Sequence, residues 1–426
     1  MKSVPRQRGG RVFYGWWIVL VAGAGLFFCY IPTVSFTFGL FSEPLSREFN
    51  WSRTGISLAF SLSLIAMCVA MPLVGRLVDR FGARKVIVPS VLILGMSFMS
   101  FYFLSNSLGQ FYVVYIVMGL VGGGSATLPY SGVIAHWFDR KRGLALSLAA
   151  AGAGLGSLVV PPLVHAAIAG MGWRSAYLLI GLTIIVVTVP AVTFFLKETP
   201  QMMDLLPDGE VVENASAEKQ SREEGISCGE ALHSGVFWMI CIAFFFVASS
   251  VIGCLIHLVP MLTDRGVSSR SAALATALLG GASLLGGVMA GYLLDRFFAS
   301  YVSLIFFMGA GLGILFLWGG AVGGLVFVAA SLIGLGMGAA GQIIPYLVSR
   351  YFGLRSFGEI YSYALISFSL GGVVGPVVMG MSFDYTGSYR LVLAAFLLVT
   401  LIAAGLMMRL GPYRVWQTAL AEPTIA

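Results

Sequence analysis

Gly75-Arg76-Leu77-Val78-Asp79-Arg80-Phe81 recurs 216 residues later as Gly291-Tyr292-Leu293-Leu294-Asp295-Arg296-Phe297. Further positions repeat at an offset of 215: Gly143 with Gly358, Gly156 with Gly371, Pro161 with Pro376 and Gly172 with Gly387. Both copies of the Asp-Arg stretch sit between long runs that carry no Asp, Glu, Lys or Arg. A parallel internal repeat embedded in apolar sequence implies a chain made of two copies of one membrane-embedded unit.

The composition agrees. Of 426 residues 58% are hydrophobic and 10% charged, and the mean hydropathy is +0.93, whereas a soluble domain carries about 25% charged residues. The chain lacks the charge to cover a water-facing surface, which excludes a soluble enzyme, a nucleic-acid-binding module and a disordered chain. Ten uncharged stretches run from 12–42 to 391–408, and two of them, 86–138 and 297–349, are 53 residues long. A crossing needs about 20 residues, and each long stretch has a turn signal near its middle, Ser105-Asn106-Ser107-Leu108-Gly109 and Gly319-Gly320-Ala321. Splitting both gives twelve helices. The runs are continuous rather than alternating, so a transmembrane β-barrel is excluded. The expected fold is an all-α polytopic membrane protein, with twelve transmembrane helices in two pseudo-symmetric six-helix bundles.

Of the 25 Lys and Arg residues, 19 fall on the side of the N-terminus and 6 on the other. By the positive-inside rule both termini are cytoplasmic, and the net charge of +7 reflects this bias rather than a nucleic-acid partner. The one long polar segment, 197–234, carries nine acidic and three basic residues and reads as a cytoplasmic tether. It separates an N-terminal bundle, 1–196, from a C-terminal bundle, 235–426. The first apolar stretch reads as a retained helix rather than a cleaved signal. Cysteine spacing offers no metal site, no phosphate loop accompanies the glycine runs, and GxSG, HExxH and paired intramembrane aspartates are absent, so no cofactor, metal or enzymatic activity is expected. The glycine pairs Gly119/Gly123, Gly152/Gly156 and Gly334/Gly338 read as close helix-packing positions.

The loop after helix 2, Gly75 through Asp79-Arg80, Gly82 and the basic pair Arg84-Lys85, resembles the best-known signature of the major facilitator superfamily, and Lys197-Glu198-Thr199-Pro200 after helix 6 agrees. Phe13-Tyr14-Gly15-Trp16-Trp17 and Trp137-Phe138-Asp139-Arg140-Lys141-Arg142-Gly143, with Ala149-Ala150-Ala151-Gly152, resemble its monocarboxylate-transporter and oxalate/formate-antiporter branch. The resemblance implies alternating access, with Asp79 facing the start of helix 11 around Ser356 to Gly358, where an anion gains from the helix dipole. Gly75, Asp79, Arg80, Gly82, Arg84 and Lys85 are then gating residues. The competing reading of the three bases is simple positive-inside bias.

In the carboxylate branch, helix 8 typically holds an arginine four residues before a glycine. Counting back from Gly291, that place is Gly287, with Ser283 one turn earlier, and no base replaces it. The polar candidates near the middle of the membrane are Tyr30, Thr33, Tyr115, Ser283, Gln342, Tyr363 and Ser367, with Ser249 and Ser250 on helix 7. Tyr115 stands four residues before Gly119, where many superfamily members have an arginine. For each hydroxyl the plain alternative is a bond to a neighbouring backbone. His257 is the intramembrane candidate for proton coupling, because imidazole changes charge near neutral pH; a satisfied packing site is its alternative. Glu359 is expected to pair with Arg355. The expected function is secondary transport of a small organic solute, a monocarboxylate or related acid with possible proton coupling, by a monomer in the inner (plasma) membrane. Export of a neutral or amphipathic compound and a non-transporting membrane sensor are the alternatives.

Overall fold

The computed structural model describes residues 13–203, 205–209 and 225–413. The middle of the 197–234 tether, 210–224, thus lies outside the described residues, as do residues 1–12 and 414–426. Eleven helical stretches are long and apolar enough to cross a membrane. The longest, Arg142–Phe195, breaks at Gly172 (φ 83°), so it supplies two crossings and the total is twelve. In chain order the crossing helices of the first half are α1 (Gly15–Phe27, continued by a π turn Ile31–Ser35 and followed by a shorter helix Phe38–Phe49), α2 (Arg53–Phe81), α3 (Ala83–Ser100), α4 (Leu108–Ser125 with Thr127–Trp137), α5 (142–171) and α6 (173–190). The second half holds α7 (Gly235–Asp264), α8 (Ser269–Leu294), α9 (Ala299–Trp318), α10 (Gly324–Phe352), α11 (Phe357–Thr386) and α12 (Arg390–Met408). No strand occurs among the described residues.

Local chemistry sets the boundaries. Ser52, Ser107 and Ser268 each accept a hydrogen bond from the first turn of the helix they precede, satisfying one of its free N–H groups. Gly172 and Gly387, 215 residues apart, both adopt positive φ (83° and 64°) and end α5 and α11, a conformation that costs a side chain and suits glycine. α4 is interrupted at Ala126, after Gly122-Gly123-Gly124 and before Pro129, where helix propensity is lowest.

The two halves repeat the same packing. α1 pairs with α5 as α7 pairs with α11, α2 with α4 as α8 with α10, and α3 with α6 as α9 with α12. Glycine permits these approaches: a Cβ on Gly119 would strike the carbonyl of Ser63, one on Gly152 that of Gly23, and one on Gly334 that of Leu279. Large apolar side chains such as Leu20, Val69, Val113, Leu158, Val186, Ile305, Val373 and Leu398 face outward, as a lipid-facing surface requires. The halves meet along α2–α11 and α5–α8. Below, the basic end is the one where α2 ends and α11 begins, and the far end is opposite.

Candidate functional site

The α2–α11 contact is built on two glycines and a carboxylate. A Cβ on Gly75 would collide with the carbonyl oxygen of Gly358, so these helices cross backbone to backbone. One turn on, Asp79 accepts hydrogen bonds from the N–H of Gly358 (2.8 Å) and of Glu359 (2.9 Å), capping the first turn of α11. An anion there satisfies orphan donors and meets the positive end of the helix dipole. Glu359 pairs with Arg76 across the same contact (2.6 Å), not with Arg355. The sequence offered Arg355 as the near neighbour, but the crossing brings the α2 guanidinium closer. The Cys228 thiol, just before α7, also meets Glu359; burial, then the Glu359 charge, pushes it up to about 12, which keeps it protonated.

The α5–α8 contact repeats this arrangement with the halves exchanged. Gly143 and Gly291 are in backbone contact. Asp295 accepts from the N–H of Gly143 (2.6 Å) and of Leu144 (2.9 Å), the first turn of α5. Burial raises the Asp295 carboxyl above its ordinary range, opposed by those two N–H groups. Asp295 was not among the gating candidates, because its stretch lacks the second glycine and the basic pair. Its position in the repeat, Asp79 plus 216, was the available signal.

Further bonds join the halves nearby. Arg350 donates to the Asp139 carboxylate (2.7 Å) and backbone carbonyl (2.7 Å). Arg142, almost fully buried, donates to the carbonyl of Phe138 (2.9 Å) and to Ser349 Oγ (3.1 Å). The tether docks here too: Glu198 accepts from the Arg84 N–H (3.1 Å) beneath Gly82, and Asp208 accepts from the N–H groups of Asp139 and Arg140. Arg84 thus acts in the structure through its backbone, while the Arg80 guanidinium lies 5.2 Å from the Phe81 ring centroid and Lys85 is exposed. Phe13 and Trp16 pack on Trp137 and Phe138, so the two aromatic segments noted in the sequence meet at this end.

Beyond these contacts lies a narrow cleft between the halves, lined by Leu26 of α1, Thr127, Tyr130, Ser131 and Ile134 of α4, Leu146 and Ala149 of α5, Gly341 and Gln342 of α10 and Tyr361 of α11. Its free space of about 10 Å³ admits one water or one ligand oxygen. The Tyr361 phenol meets Thr127 and Ser131 across it. Tyr130 is buried and its phenol oxygen has no hydrogen-bond partner. Every polar lining group is neutral. Gln342 came from the sequence, but Thr127, Tyr130, Ser131 and Tyr361 did not. A Cβ built on Gly287 would meet only the Gly338 carbonyl at 3.4 Å and Gln342 Cγ at 3.8 Å, ordinary contacts, so packing does not force glycine there.

Several other candidates turn inward within one half. Tyr30 Oη bonds Ser63 Oγ (2.7 Å), and Thr33 donates to the Cys29 carbonyl (2.7 Å). Tyr115 is enclosed by Phe38, Phe101 and Phe111 rings, all of the N-terminal half. Ser367 donates to the Cys241 carbonyl on α7 (2.8 Å), and Ser249 and Ser250 to carbonyls four residues back. Ser283 lies where α8 presses on Gly338 of α10, and Tyr363 is half-buried, one turn beyond Glu359 on α11. These hydroxyls do not line the cleft. His257 faces Tyr389 Oη (3.4 Å) and the Pro376 carbonyl (3.1 Å), both in its own half.

The hydrogen bonds between halves gather at the basic end. At the far end, Glu48 accepts from Trp173 Nε1 (2.7 Å) and pairs with Arg174, and Trp51 Nε1 donates to Asn106 (2.8 Å), all within the N-terminal half. The structure is therefore closed at the basic end.

The sequence model of the Major Facilitator Superfamily matches residues 22–376 and 239–422. Among similar proteins, Monocarboxylate transporter 11 of Homo sapiens is 27% identical over 430 residues, covering 96% of this chain and 85% of the relative. The probable sulfoacetate transporter SauU of Cupriavidus necator is 26% identical over 385 residues, covering 86% of each. Among solved structures, the proton:xylose symporter XylE bound to 6-bromo-6-deoxy-D-glucose superposes with a TM-score of 0.74 at 17% identity, over 95% of this chain and 97% of that one, and shares the fold. The chain belongs to the Major Facilitator Superfamily.

Proposed function

We propose that this superfamily member is a secondary transporter that carries a small organic acid across the membrane by alternating access. The observation that carries the reading is the reciprocal capping at the basic end: Asp79 holds α11 and Asp295 holds α5, each carboxylate reaching into the opposite half. A contact made of helix termini and glycine crossings has few groups to separate, so rocking the halves breaks it as a unit and opens the cleft to that side. The density of Lys and Arg supports the basic end as the cytoplasmic one, with both termini on that side and residues 197–234 as a tether between an N-terminal bundle (1–196) and a C-terminal one (235–426). The protein then works as a monomer in the plasma membrane, with the bilayer and a small solute as partners.

The names of the two relatives, a monocarboxylate transporter and a probable sulfoacetate transporter, support an acid. The cleft narrows which form of it fits. A carboxylate there meets hydroxyls and one amide but no cation, and an uncompensated charge in such a place is costly. A carboxylic acid that keeps its proton can donate to Gln342 Oε1 and accept from Tyr130 Oη. Proton coupling then resides on the solute, with His257 as the second carrier. The neutral lining also suits a second reading, export of a neutral or amphipathic compound.

The deciding experiment is uptake of radiolabelled lactate, pyruvate and oxalate into proteoliposomes, with and without an inward proton gradient. Saturable uptake that rises with the gradient and falls in Tyr130→Phe and Gln342→Ala supports the acid. Folded, inserted protein that moves none of them turns the reading to neutral solutes.

A further inference from the structure

The cleft belongs to the proposed transport path, but a separate cavity, of about 410 Å³, lies at the far end of the C-terminal half. It forms where α7 ends, α9 turns into α10 and α11 turns into α12. Arg265, Arg390, Trp318, Ser388, Tyr389 and Asp264 are among its lining residues.

The two arginines are the unexplained feature. Arg265 Nη1 is buried and has no acceptor. Among the described residues no ion pair or hydrogen bond reaches either guanidinium, although the Asp264 carboxylate lines the same cavity. Burial, then the like charge of Arg390, lowers the Arg265 pKa from its ordinary value, so two cations share a cavity in which Asp264 is the one acidic lining residue and pairs with neither. The Arg390 guanidinium lies 6.0 Å from the Trp318 ring centroid. Arg390 also opens α12, whose first-turn N–H groups add partial positive charge at the same point.

We propose that this cavity binds a small oxyanion, a carboxylate or a phosphate, between Arg265 and Arg390. A planar guanidinium presents paired N–H donors that match two oxygens of such a group, which a lysine would not. The same chemistry is offered by a soluble anion and by the headgroup of an anionic phospholipid, since the cavity lies at the end of the membrane spans. The site stands apart from the cleft, and its occupancy does not depend on what the protein transports.

The test uses full-length protein in nanodiscs. In phosphatidylcholine alone, inorganic phosphate and lactate are titrated while Trp318 fluorescence is followed, with Trp318→Phe as the subtraction. In a second set containing phosphatidylglycerol, retained lipid is counted by native mass spectrometry. Saturable quenching identifies a soluble anion, and lipid retention without quenching identifies a headgroup. In either case Arg265→Gln and Arg390→Gln should each weaken binding at least tenfold at unchanged unfolding temperature, Arg390→Lys should weaken it less, and Asp264→Asn should strengthen it. Binding that ignores all four substitutions, or no binding in either arm, overturns the site.

Discussion

Asp79 and Asp295 stand 216 residues apart and perform the same operation on opposite halves. Each ends a helix of its own bundle and accepts two backbone N–H bonds from the first turn of a helix in the other. Hydrogen bonds to a charged group contribute about 1.5–3 kcal/mol, so either carboxylate alone biases the closed arrangement about tenfold or more.

Asp79→Ala and Asp295→Ala should therefore each shift the resting population toward an open basic end, and the double variant further. Spin labels across α2 and α11 at that end, read by pulsed electron resonance, should gain a longer distance. An unchanged distribution in both single variants would mean that other contacts hold the gate.

The glycine crossings make a sharper test. A methyl group on Gly75 or Gly143 meets a backbone carbonyl of the opposite half, which cannot move without its helix. Gly75→Ala and Gly143→Ala should fold, because each clash arises only when the halves close. Cysteines placed at the basic end should react with a membrane-impermeant maleimide at least tenfold faster than in the parent, and transport should fall by a similar factor. Normal transport in either variant would show that the closed crossing is dispensable.

Gly287 offers a gain of function. A Cβ there makes only ordinary contacts, and Gln342 lies beside it. Gly287→Arg should place a cation at the cleft, lowering the apparent KM for lactate about tenfold, the scale of one charge-assisted pair. It should also make uptake less dependent on the proton gradient, since the anion becomes the favoured form. If KM and pH dependence stay as in the parent, the solute does not reach the Gly287 side of the cleft.

A pH effect on stability is expected at the far end. Burial acts to raise the Glu48 carboxyl, but hydrogen bonds from Arg174 and Trp173 and the Arg174 charge outweigh it and lower its pKa. A depressed carboxyl contributes stability that is complete above its unfolded value, roughly 4.3, and is lost as the pH falls through the lower folded value. The pair is partly exposed, so the contribution is small, below about 1 kcal/mol. Thermal unfolding of the parent and Glu48→Gln should differ above pH 5 and converge near pH 3. A difference that persists at pH 3 would mean that Glu48 acts by packing.

The architecture was legible because it depends on properties that survive in one dimension: uncharged runs, the spacing of Lys and Arg, and the repeat. The place of Asp79 could be inferred because its neighbours form a dense local pattern. Asp295 was missed because its stretch keeps Gly291, Asp295-Arg296 and Phe297 but has no counterpart of Gly82, Arg84 and Lys85. The cleft was only partly visible, since the facing of a hydroxyl on a fully apolar helix has no amphipathic period to report it. Gln342 stood out as an amide, while Thr127, Tyr130 and Ser131 sit beyond the break at Ala126 in α4. Tyr30, Tyr115 and Ser367 are polar residues of equal promise in sequence that find their surroundings or partners inside one bundle.

The exchanged capping has a consequence for what half of this chain is. If residue 79 of one unit meets position 358 of the other, and residue 295 meets 143, the contact is isologous, the form taken by the interface of a two-fold dimer. An N-terminal unit on its own carries both faces of that interface, the carboxylate of Asp79 and the uncapped start of α5 at Gly143, and two such units can satisfy one another. Fusion of the units into one chain removes the demand that both faces stay identical. The second could then lose the glycine and bases found at Gly82, Arg84 and Lys85, and the two latches could come to differ in how readily each lets go.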